Sequence, residues 1–419
     1  APGGSVTPFN INKNTNWGNE LTRNAIVKQH NLSVSGGNNS SRYYFSLGYL
    51  ENESPLKEID FNRFTVRFKY DTEVSEKLNI TTNIGYGNTK SNNHETGTSY
   101  YSPFKNIYLL RPDLNTYNVD GSYDTSFNYA INPLGILTEE TRALETNDFR
   151  GALNLNYEFI PNLTLETSLN GNYRLNENYN NFPDYIGKGF NNGSSFGIQK
   201  NTNTFNWNGR ALLRYLYSFN ENHVLNMFAG LENNGVDIKA TNVSVDQLRA
   251  GSETLDNGET VDTYTTRREN TISSAFFNAN YSYQNKYLAN ASFRRDGSSR
   301  FGKNSKYGNF YALGLGWNIH REKFMENLDL FNQLKLRVSY GVNGNDQIDP
   351  FGYSGTFSGT GSYNGNNVAT ISSAGNASIS WEKNTTFDIG VDFSILDNRI
   401  SGYIDYYNRK TSDLLYNLP

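Results

Sequence analysis

The sequence has no cysteine, only two methionines and only four histidines among its 419 residues. Without thiols, the chain can build neither a disulfide scaffold nor a thiolate metal site. Its charge is nearly balanced, with 37 Lys and Arg against 41 Asp and Glu, so no positive excess suggests a nucleic-acid partner. The longest apolar runs are three or four residues, as at 107–110, whereas a membrane-spanning helix requires roughly 20.

The residues that are abundant point to β-structure instead. Asn occurs 64 times, Tyr 30 times, Phe 26 times and Gly 37 times. These residue types are poor or middling helix formers, which excludes a mainly helical protein. A mean hydropathy of −0.67 would suit a soluble or disordered chain, but disordered segments are poor in aromatics. A polar average with many aromatics is typical of a transmembrane β-barrel, because only every second side chain of a strand faces lipid.

Apolar and polar residues alternate with a period of two along much of the chain. Between 163 and 175, apolar positions such as Leu165 and Tyr173 alternate with polar ones such as Glu166 and Arg174. Successive side chains of a strand point to opposite faces, so this pattern predicts a sheet with one apolar side. The predicted strands number about fourteen: 29–36, 41–51, 61–71, 77–90, 147–159, 163–177, 203–218, 223–235, 269–283, 286–296, 307–319, 333–343, 377–394 and 399–411.

A soluble β-sandwich would alternate in the same way, so two further features decide between the two classes. The predicted strands run to about 10–15 residues, longer than the usual five or six of soluble domains and sufficient for a tilted bilayer crossing. Aromatic residues also gather where strands meet short turns, as an interfacial girdle requires. These aromatics are Tyr70, Phe159, Tyr217, Phe219, Tyr283, Tyr287 and Phe393.

Short turns alternate with long loops between the predicted strands. The main loops are expected near 91–146, 178–200, 236–265 and 343–375. Short connections on one side and long ones on the other are typical of transmembrane barrels with a periplasmic and an extracellular end. The stretch 321–332 interrupts the series of short turns, and Phe324, Leu328 and Phe331 predict one face of a short helix there.

Motif-like segments follow one another along nearly the whole chain. Residues 32–37 read Leu-Ser-Val-Ser-Gly-Gly, 293–302 read Phe-Arg-Arg-Asp-Gly-Ser-Ser-Arg-Phe-Gly, and 408–415 read Asn-Arg-Lys-Thr-Ser-Asp-Leu-Leu. Between the last two lie Leu-Lys-Leu-Arg-Val-Ser-Tyr-Gly at 334–341 and Trp-Glu-Lys-Asn at 381–384. Each segment alone consists of common strand and turn residues, but their order and spacing are specific. In these segments the chain resembles the SusC/RagA family of TonB-dependent outer-membrane transporters of Bacteroidetes.

The resemblance implies an all-β fold, an antiparallel transmembrane β-barrel of about 22 strands filled by a plug domain. About 14 of those strands fall in this chain, and the plug domain and the TonB-contacting segment fall outside it. We therefore expect residues 1–28 to lead into the barrel and residues 29–419 to form a partial barrel. On this interpretation the chain is the middle of a longer protein of the bacterial outer membrane.

Sequence motifs for catalysis are weak. The four histidines are scattered without a ligand-spaced pair, and the glycine-rich stretch 359–365 lacks the Lys-Ser/Thr of a phosphate loop. Residues 118–124 place oxygen-bearing side chains around Gly121, but without the distal bidentate Glu of a calcium loop, which favours a plain turn. We therefore expect no enzyme, no cofactor and no metal site.

The long loops carry many aromatic residues. Protein interfaces are enriched in Tyr and Phe, and sugar rings stack on exposed aromatic faces. By the resemblance, the loops meet a SusD-like lipoprotein lid, and we favour lid contact or packing within the loops over direct substrate contact. The candidates are Tyr100, Tyr101, Phe104, Tyr108, Tyr117, Tyr123, Phe127, Tyr353, Phe357 and Tyr363.

Charged residues on the polar side of the predicted strands form a second candidate surface. A wet barrel interior, or one packed against a plug, needs polar groups of this kind, and packing against the plug is the favoured interpretation. The candidates are Arg63, Arg67, Glu166, Arg174, Arg210, Arg214, Arg337, Asp388 and Asp392.

The resemblance implies active import rather than catalysis. The chain would supply wall and extracellular loops of an importer of oligosaccharides, with peptides as the near alternative. Its partners would be a SusD-like surface lipoprotein, outer-membrane lipid, and TonB acting through a region outside this chain. A passive porin-like or surface-adhesion barrel without TonB coupling is the competing hypothesis.

Overall fold

The alternating segments form one antiparallel sheet in which each strand pairs with its neighbour in the chain. The computed structural model describes residues 12–94, 102–124, 132–184, 195–220, 222–249, 252–326, 328, 330–364 and 366–416. Its elements are α1 (Trp17–Leu21), β1 (Val27–Gly37), β2 (Ser41–Glu53), β3 (Asp60–Ser75), β4 (Leu78–Asn92), α2 (Pro103–Leu109), α3 (Pro133–Glu139), β5 (Thr141–Ile160), β6 (Leu163–Phe182), β7 (Phe196–Phe219), β8 (His223–Asp246), β9 (Glu259–Tyr283), β10 (Tyr287–Ser298), β11 (Tyr307–Asn318), β12 (Phe331–Asn345), β13 (Thr356–Tyr363), β14 (Asn366–Ser373), β15 (Glu382–Ile395) and β16 (Ile400–Ser412).

The main sheet contains fourteen strands, which confirms the number expected from the alternation. Its order runs from β1 to β12 and then to β15 and β16. Strands β13 and β14 form a separate hairpin inside the predicted loop 343–375, which the alternation did not reveal. In the described part of the chain, β1 and β16 are the two edges of the sheet, so the sheet is not closed. Of the helices that the structure describes, none is long and apolar enough to cross a bilayer.

Several strands reach further into the predicted loops than the sequence indicated. Strand β8 continues to Asp246 and β9 starts at Glu259, which narrows the loop expected at 236–265 to 247–258. Likewise, β6 extends to Phe182 and β7 starts at Phe196, so most of 178–200 that the structure describes is strand. Within 236–246 the apolar positions change from 236, 238 and 240 to 243 and 245, so the alternation that predicts strands is broken there. The backbone N–H and C=O groups of adjacent segments nevertheless find hydrogen-bond partners, because the segments pair with each other as strands.

The short helix expected at 321–332 is wrong. The chain forms two single 3₁₀ turns at Ile319–Arg321 and Lys323–Met325, and Phe331 already belongs to β12. The Glu322 carboxylate between the turns accepts hydrogen bonds from the Tyr287 hydroxyl at 2.6 Å and the Trp317 indole N–H at 3.0 Å. These donors lower the pKa of Glu322. Hydrogen bonds to this carboxylate thus hold the turn against the ends of β10 and β11. The apolar face of a helix, which the sequence predicted here, is not what anchors it.

A small hydrophobic core lies at the long-loop end of the sheet. Leu21 of α1 packs with Leu56 from the β2–β3 loop and with Leu134 and Leu137 of α3. The Trp17 indole N–H donates to the carbonyl oxygen of residue 111 at 3.0 Å. The segment before β1 is therefore fastened to the β4–β5 loop by both apolar contacts and hydrogen bonds.

This core yields a stability prediction. Leu137 is 1% exposed, so Leu137→Ala should lower the local unfolding free energy by about 2–4 kcal/mol through lost burial and a residual cavity. Leu109→Ala on α2, where the side chain is 54% exposed, is the matched control and should change it little. Hydrogen–deuterium exchange of peptides from 102–124 and 132–140 measures the effect. Equal protection in both variants would contradict this core.

Candidate functional site

Cross-strand register assigns every strand residue to one of two faces of the sheet. Directly opposed residues of antiparallel strands point to the same side. Arg67 opposes Gly85, Gly85 opposes Arg150, and Arg150 opposes Asn172. Continued across all fourteen strands, this register defines a polar face and an outer face. All nine charged residues predicted for the interior lie on the polar face: Arg63, Arg67, Glu166, Arg174, Arg210, Arg214, Arg337, Asp388 and Asp392.

Ion pairs link neighbouring strands along this polar face. Asp148 of β5 lies 2.6 Å from guanidinium nitrogens of both Arg150 and Arg174, so two cations share one carboxylate. Arg214 of β7 pairs with Glu166 of β6 at 2.6 Å. Asp148 and Arg150 were not predicted from the sequence, although both alternate with Phe149 on β5.

A second network joins three strands near the short-turn end. Arg337 of β12 lies 2.9 Å from Asp392, 2.8 Å from Asp405 and 3.8 Å from Asp388. The sequence predicted Arg337, Asp388 and Asp392 as separate wall residues, and the structure brings them together. Asp405 was missed because its neighbours on the same face of β16, Tyr403 and Tyr407, are aromatic and hide the polar side of the strand. The residue opposite Asp405 in the register is Gly390. Because Gly390 has no side chain, the Asp405 carboxylate and the Arg337 guanidinium can meet in the space beside it.

The outer face carries two rows of aromatic rings separated by an apolar band. The row at the short turns was expected, and neighbouring rings there stack, as in Tyr215–Tyr217 and Tyr283–Tyr287. A second row on the long-loop side was not expected, because no strand contributes more than one of its members. Its members are Tyr49, Phe64, Tyr86, Phe149, Tyr173, Phe205, Phe277, Phe293, Tyr311, Tyr340, Phe387 and Tyr406.

The spacing of the two rows fits the hydrocarbon thickness of an outer membrane. On β5, Phe149 belongs to the upper row and Phe159 to the lower row. At about 3.3 Å per residue and a strand tilt near 40°, ten residues cover about 25 Å along the membrane normal. Two aromatic girdles around a band of this height are typical of a transmembrane β-barrel.

The described loop aromatics are half-buried or exposed. Tyr117 and Tyr123 stack at 5.3 Å, and the Tyr123 hydroxyl donates to Glu139 at 3.0 Å. Burial is the main cause that raises the pKa of Tyr123, so the phenol remains a donor at neutral pH. Tyr353 is half-buried. The exposed candidates are Phe104 (49%), Tyr108 (76%), Tyr117 (48%), Phe357 (70%) and Tyr363 (77%). Tyr100, Tyr101 and Phe127 lie outside the described residues.

The acidic segment 118–124 forms a turn, as the sequence suggested. Asp120 Oδ1 accepts hydrogen bonds from the backbone N–H and hydroxyl of Ser122, at 3.0 and 2.7 Å. Gly121 has φ +87°, a conformation that favours glycine. The Ser122 donors lower the pKa of Asp120. Its carboxylate therefore organises the turn itself. Across the part of the chain that the structure covers, no group of three or more His, Asp or Glu side chains is arranged to hold a metal ion.

The network around Arg337 generates a stability prediction. Arg337→Gln leaves three carboxylates facing one another, and should lower the unfolding free energy by about 1–2 kcal/mol at low salt, since the groups are partly solvated. Arg63→Gln is the matched control, because Arg63 has no ion pair with a described residue. The readout is the temperature at which the purified full-length protein loses its heat-modifiable gel shift. An equal decrease of this temperature in both variants would contradict the network. So would a decrease in Arg337→Gln that stays the same in 1 M NaCl.

Comparisons with known proteins agree with this geometry. A family model described as "TonB dependent receptor-like, beta-barrel" matches residues 109–419. TonB-dependent receptor SusC of Bacteroides thetaiotaomicron is 31% identical over 446 residues, covering 96% of this chain and 43% of that protein. TonB-dependent receptor P39 of Formosa agariphila is 31% identical over 407 residues, covering 94% of this chain and 38% of that protein. The chain thus spans about two fifths of the length of these relatives.

Solved structures show the same fold. The RagAB peptide transporter matches with a TM-score of 0.80 at 21% identity, over 100% of this chain and 48% of that chain. The ferric citrate transporter FecA matches with a TM-score of 0.53 at 8% identity, over 92% of this chain and 49% of that chain. With a family model matched along most of its length, this chain belongs to the TonB-dependent receptor β-barrel family of the bacterial outer membrane and is of the SusC/RagA type.

Proposed function

We propose that this chain forms wall and extracellular loops of an outer-membrane importer that takes up oligosaccharides with a SusD-like surface lipoprotein. The observation that carries the proposal is the continuous polar face opposite the outer face with its two aromatic girdles. A wall that is apolar toward lipid and hydrated or plug-bound inside is what a transport barrel requires. The related SusC and P39 are TonB-dependent receptors, which supports energised transport rather than passive diffusion.

The polar face suits a neutral, hydroxyl-rich substrate. On the central strands, many of its positions are asparagines, including Asn170, Asn172, Asn206 and Asn208. An amide side chain offers both donors and an acceptor without a charge, and so can exchange hydrogen bonds with sugar hydroxyls during passage. Peptide remains the second substrate class, because the structurally similar RagAB is a peptide transporter.

The exposed loop aromatics support contact with a lid. The hairpin β13–β14 contains no charged residue, and it exposes Phe357, Tyr363 and Ile371 by 70–77%. An isolated two-stranded hairpin is marginally stable in water. A protein surface that covers the hairpin would bury these side chains and support the fold, which is consistent with a lipoprotein seated on the long-loop end.

The import proposal is tested on the whole protein in its native outer membrane. Extraction in mild detergent should recover a protein that copurifies with a surface lipoprotein, and uptake of labelled oligosaccharide by intact cells should stop when TonB is deleted. Uptake of labelled peptide instead would assign the second substrate class. Uptake that persists without TonB, or a barrel that purifies without a lipoprotein, would support the passive porin-like or adhesion barrel.

The lid contact gives a separate prediction. Replacing both Phe357 and Tyr363 by Ser should reduce lipoprotein recovery in the pull-down at least about 10-fold, because aromatic anchors dominate interface energies. Phe324→Ser is the control: its side chain is 63% exposed but lies in the 3₁₀ turns at the opposite, short-turn end. Equal recovery from the double variant and the control would place the lid elsewhere.

A further inference from the structure

The β8–β9 loop folds back over the outer face of the sheet, above the upper aromatic girdle. Val245 and Leu248 are 1% and 2% exposed, and both pack beside Gly197 of β7 together with Leu255. Gly197 opposes Asn181 in the register and therefore lies on the same outer face. Residues 247–249 and 252–258 thus form a flap on the outside of the strand extensions.

A cavity of about 490 Å³ lies between this flap, the end of α3 and the outer face of β5 and β6. Pockets that bind small molecules commonly measure about 300–1,000 Å³. Asn181 is eight residues beyond the girdle residue Tyr173 on the same strand. At the tilt of a barrel strand, this places the cavity about 20 Å above the hydrocarbon boundary. The cavity is lined by Thr138, Glu139, Thr141, Ala143, Tyr179, Asn181, Ser252 and Glu253.

The side chain of Asn181, which lines the cavity, carries an acceptor atom without a hydrogen-bond donor. Its Nδ2 donates to the carbonyl oxygen of Ser252 at 3.2 Å, and the Tyr179 hydroxyl donates to the same oxygen at 2.6 Å. Since a carbonyl oxygen only accepts, these bonds fix the orientation of the amide. Asn181 Oδ1 then has no hydrogen-bond partner among the described residues, although the residue is only 2% exposed. A buried acceptor without a donor destabilises the fold unless a bound group supplies one.

The rest of the lining is also rich in acceptors. Glu139 and Glu253 contribute carboxylates, and none of the described lining residues is Lys or Arg. Glu253 is exposed to solvent, and solvent screening weakens its attraction for an ammonium group. The Tyr179 ring and the methyl groups of Thr141 and Ala143 supply apolar surface beside these acceptors. A ligand with several hydroxyl donors and an apolar ring face fits both features.

We propose that this cavity is a saccharide-binding site on the outside of the barrel, in which Asn181 Oδ1 and Glu139 accept hydrogen bonds from sugar hydroxyls. It opens on the outer face, away from the polar transport face, and so is separate from the import path. Two sources carry this chemistry: free oligosaccharide, and the lipid-linked saccharide of the surrounding outer leaflet. The site would hold the barrel to surface glycan independently of uptake.

The test uses the full-length protein purified from outer membranes. Saturation-transfer NMR with glucose, galactose, mannose and maltose probes free sugar, and copurifying lipopolysaccharide is quantified by mass spectrometry. Glu139→Gln and Asn181→Ala should each weaken saccharide binding, or reduce retained lipopolysaccharide, at least 5-fold. Weaker saccharide binding would identify free sugar as the ligand. Reduced lipopolysaccharide retention would identify the lipid-linked saccharide as the ligand. Glu177→Gln is the control, because Glu177 lies on the same strand and the same face as Asn181 but does not line the cavity.

Folding is checked by the heat-modifiable gel shift, and Glu139→Gln keeps the test valid if Asn181→Ala fails to fold. The Gln amide oxygen can still accept the hydrogen bond from Tyr123, so this variant should remain folded. Saccharide binding and lipopolysaccharide retention that match the Glu177→Gln control would overturn the proposal. Binding of 1,5-diaminopentane in preference to every sugar would overturn it as well. TonB-dependent uptake should be unchanged in both cavity variants, so this outcome is independent of the import test.

Discussion

Every backbone amide and carbonyl within the hydrocarbon layer must find a partner inside the protein, because lipid offers none. The fourteen-strand sheet meets this requirement by pairing each strand with its neighbours, except along the outward edges of β1 and β16, which have no partner among the described residues. Side chains are thereby divided between two faces with a period of two, and the polar and outer faces follow from that division. Strand pairing is therefore the interaction on which the girdles, the charged networks and the loop positions all depend.

The two faces are built by different physical rules. Toward lipid, the apolar band needs only hydrophobic side chains and aromatic rings at its boundaries, which many sequences can supply. Toward the interior, ion pairs form where charged groups of neighbouring strands come within reach, because a partly desolvated charge is less costly when it is paired. Hence Arg337 of β12 pairs with one carboxylate from β15 and one from β16, while Asp148 pairs with two arginines.

Above the membrane, the same sheet continues in a solvated setting. Strands β5 to β9 extend past the upper girdle, and their outer side chains become polar. There the loops gain hydrophobic cores of their own, one around Leu21 and Leu137 and another around Phe301 and Trp381. These cores make the long-loop end a folded surface that can present aromatic residues, a hairpin and the outer cavity to other molecules.

The sequence by itself determined the strand number, the polar and apolar faces and the lower girdle, because alternation and turn residues are local properties of the chain. It also identified the family through motifs in a fixed order. It did not determine the strand extensions at 236–246 and 259–265, since the alternation of apolar and polar residues is broken there and the strands continue only through their pairing with each other. Three features depend on strand register and on how the loops fold. They are the ion pair between Arg337 and Asp405, the upper girdle, and the cavity at Asn181. Those are decided by contacts between residues far apart in the chain, and only the tertiary structure shows them.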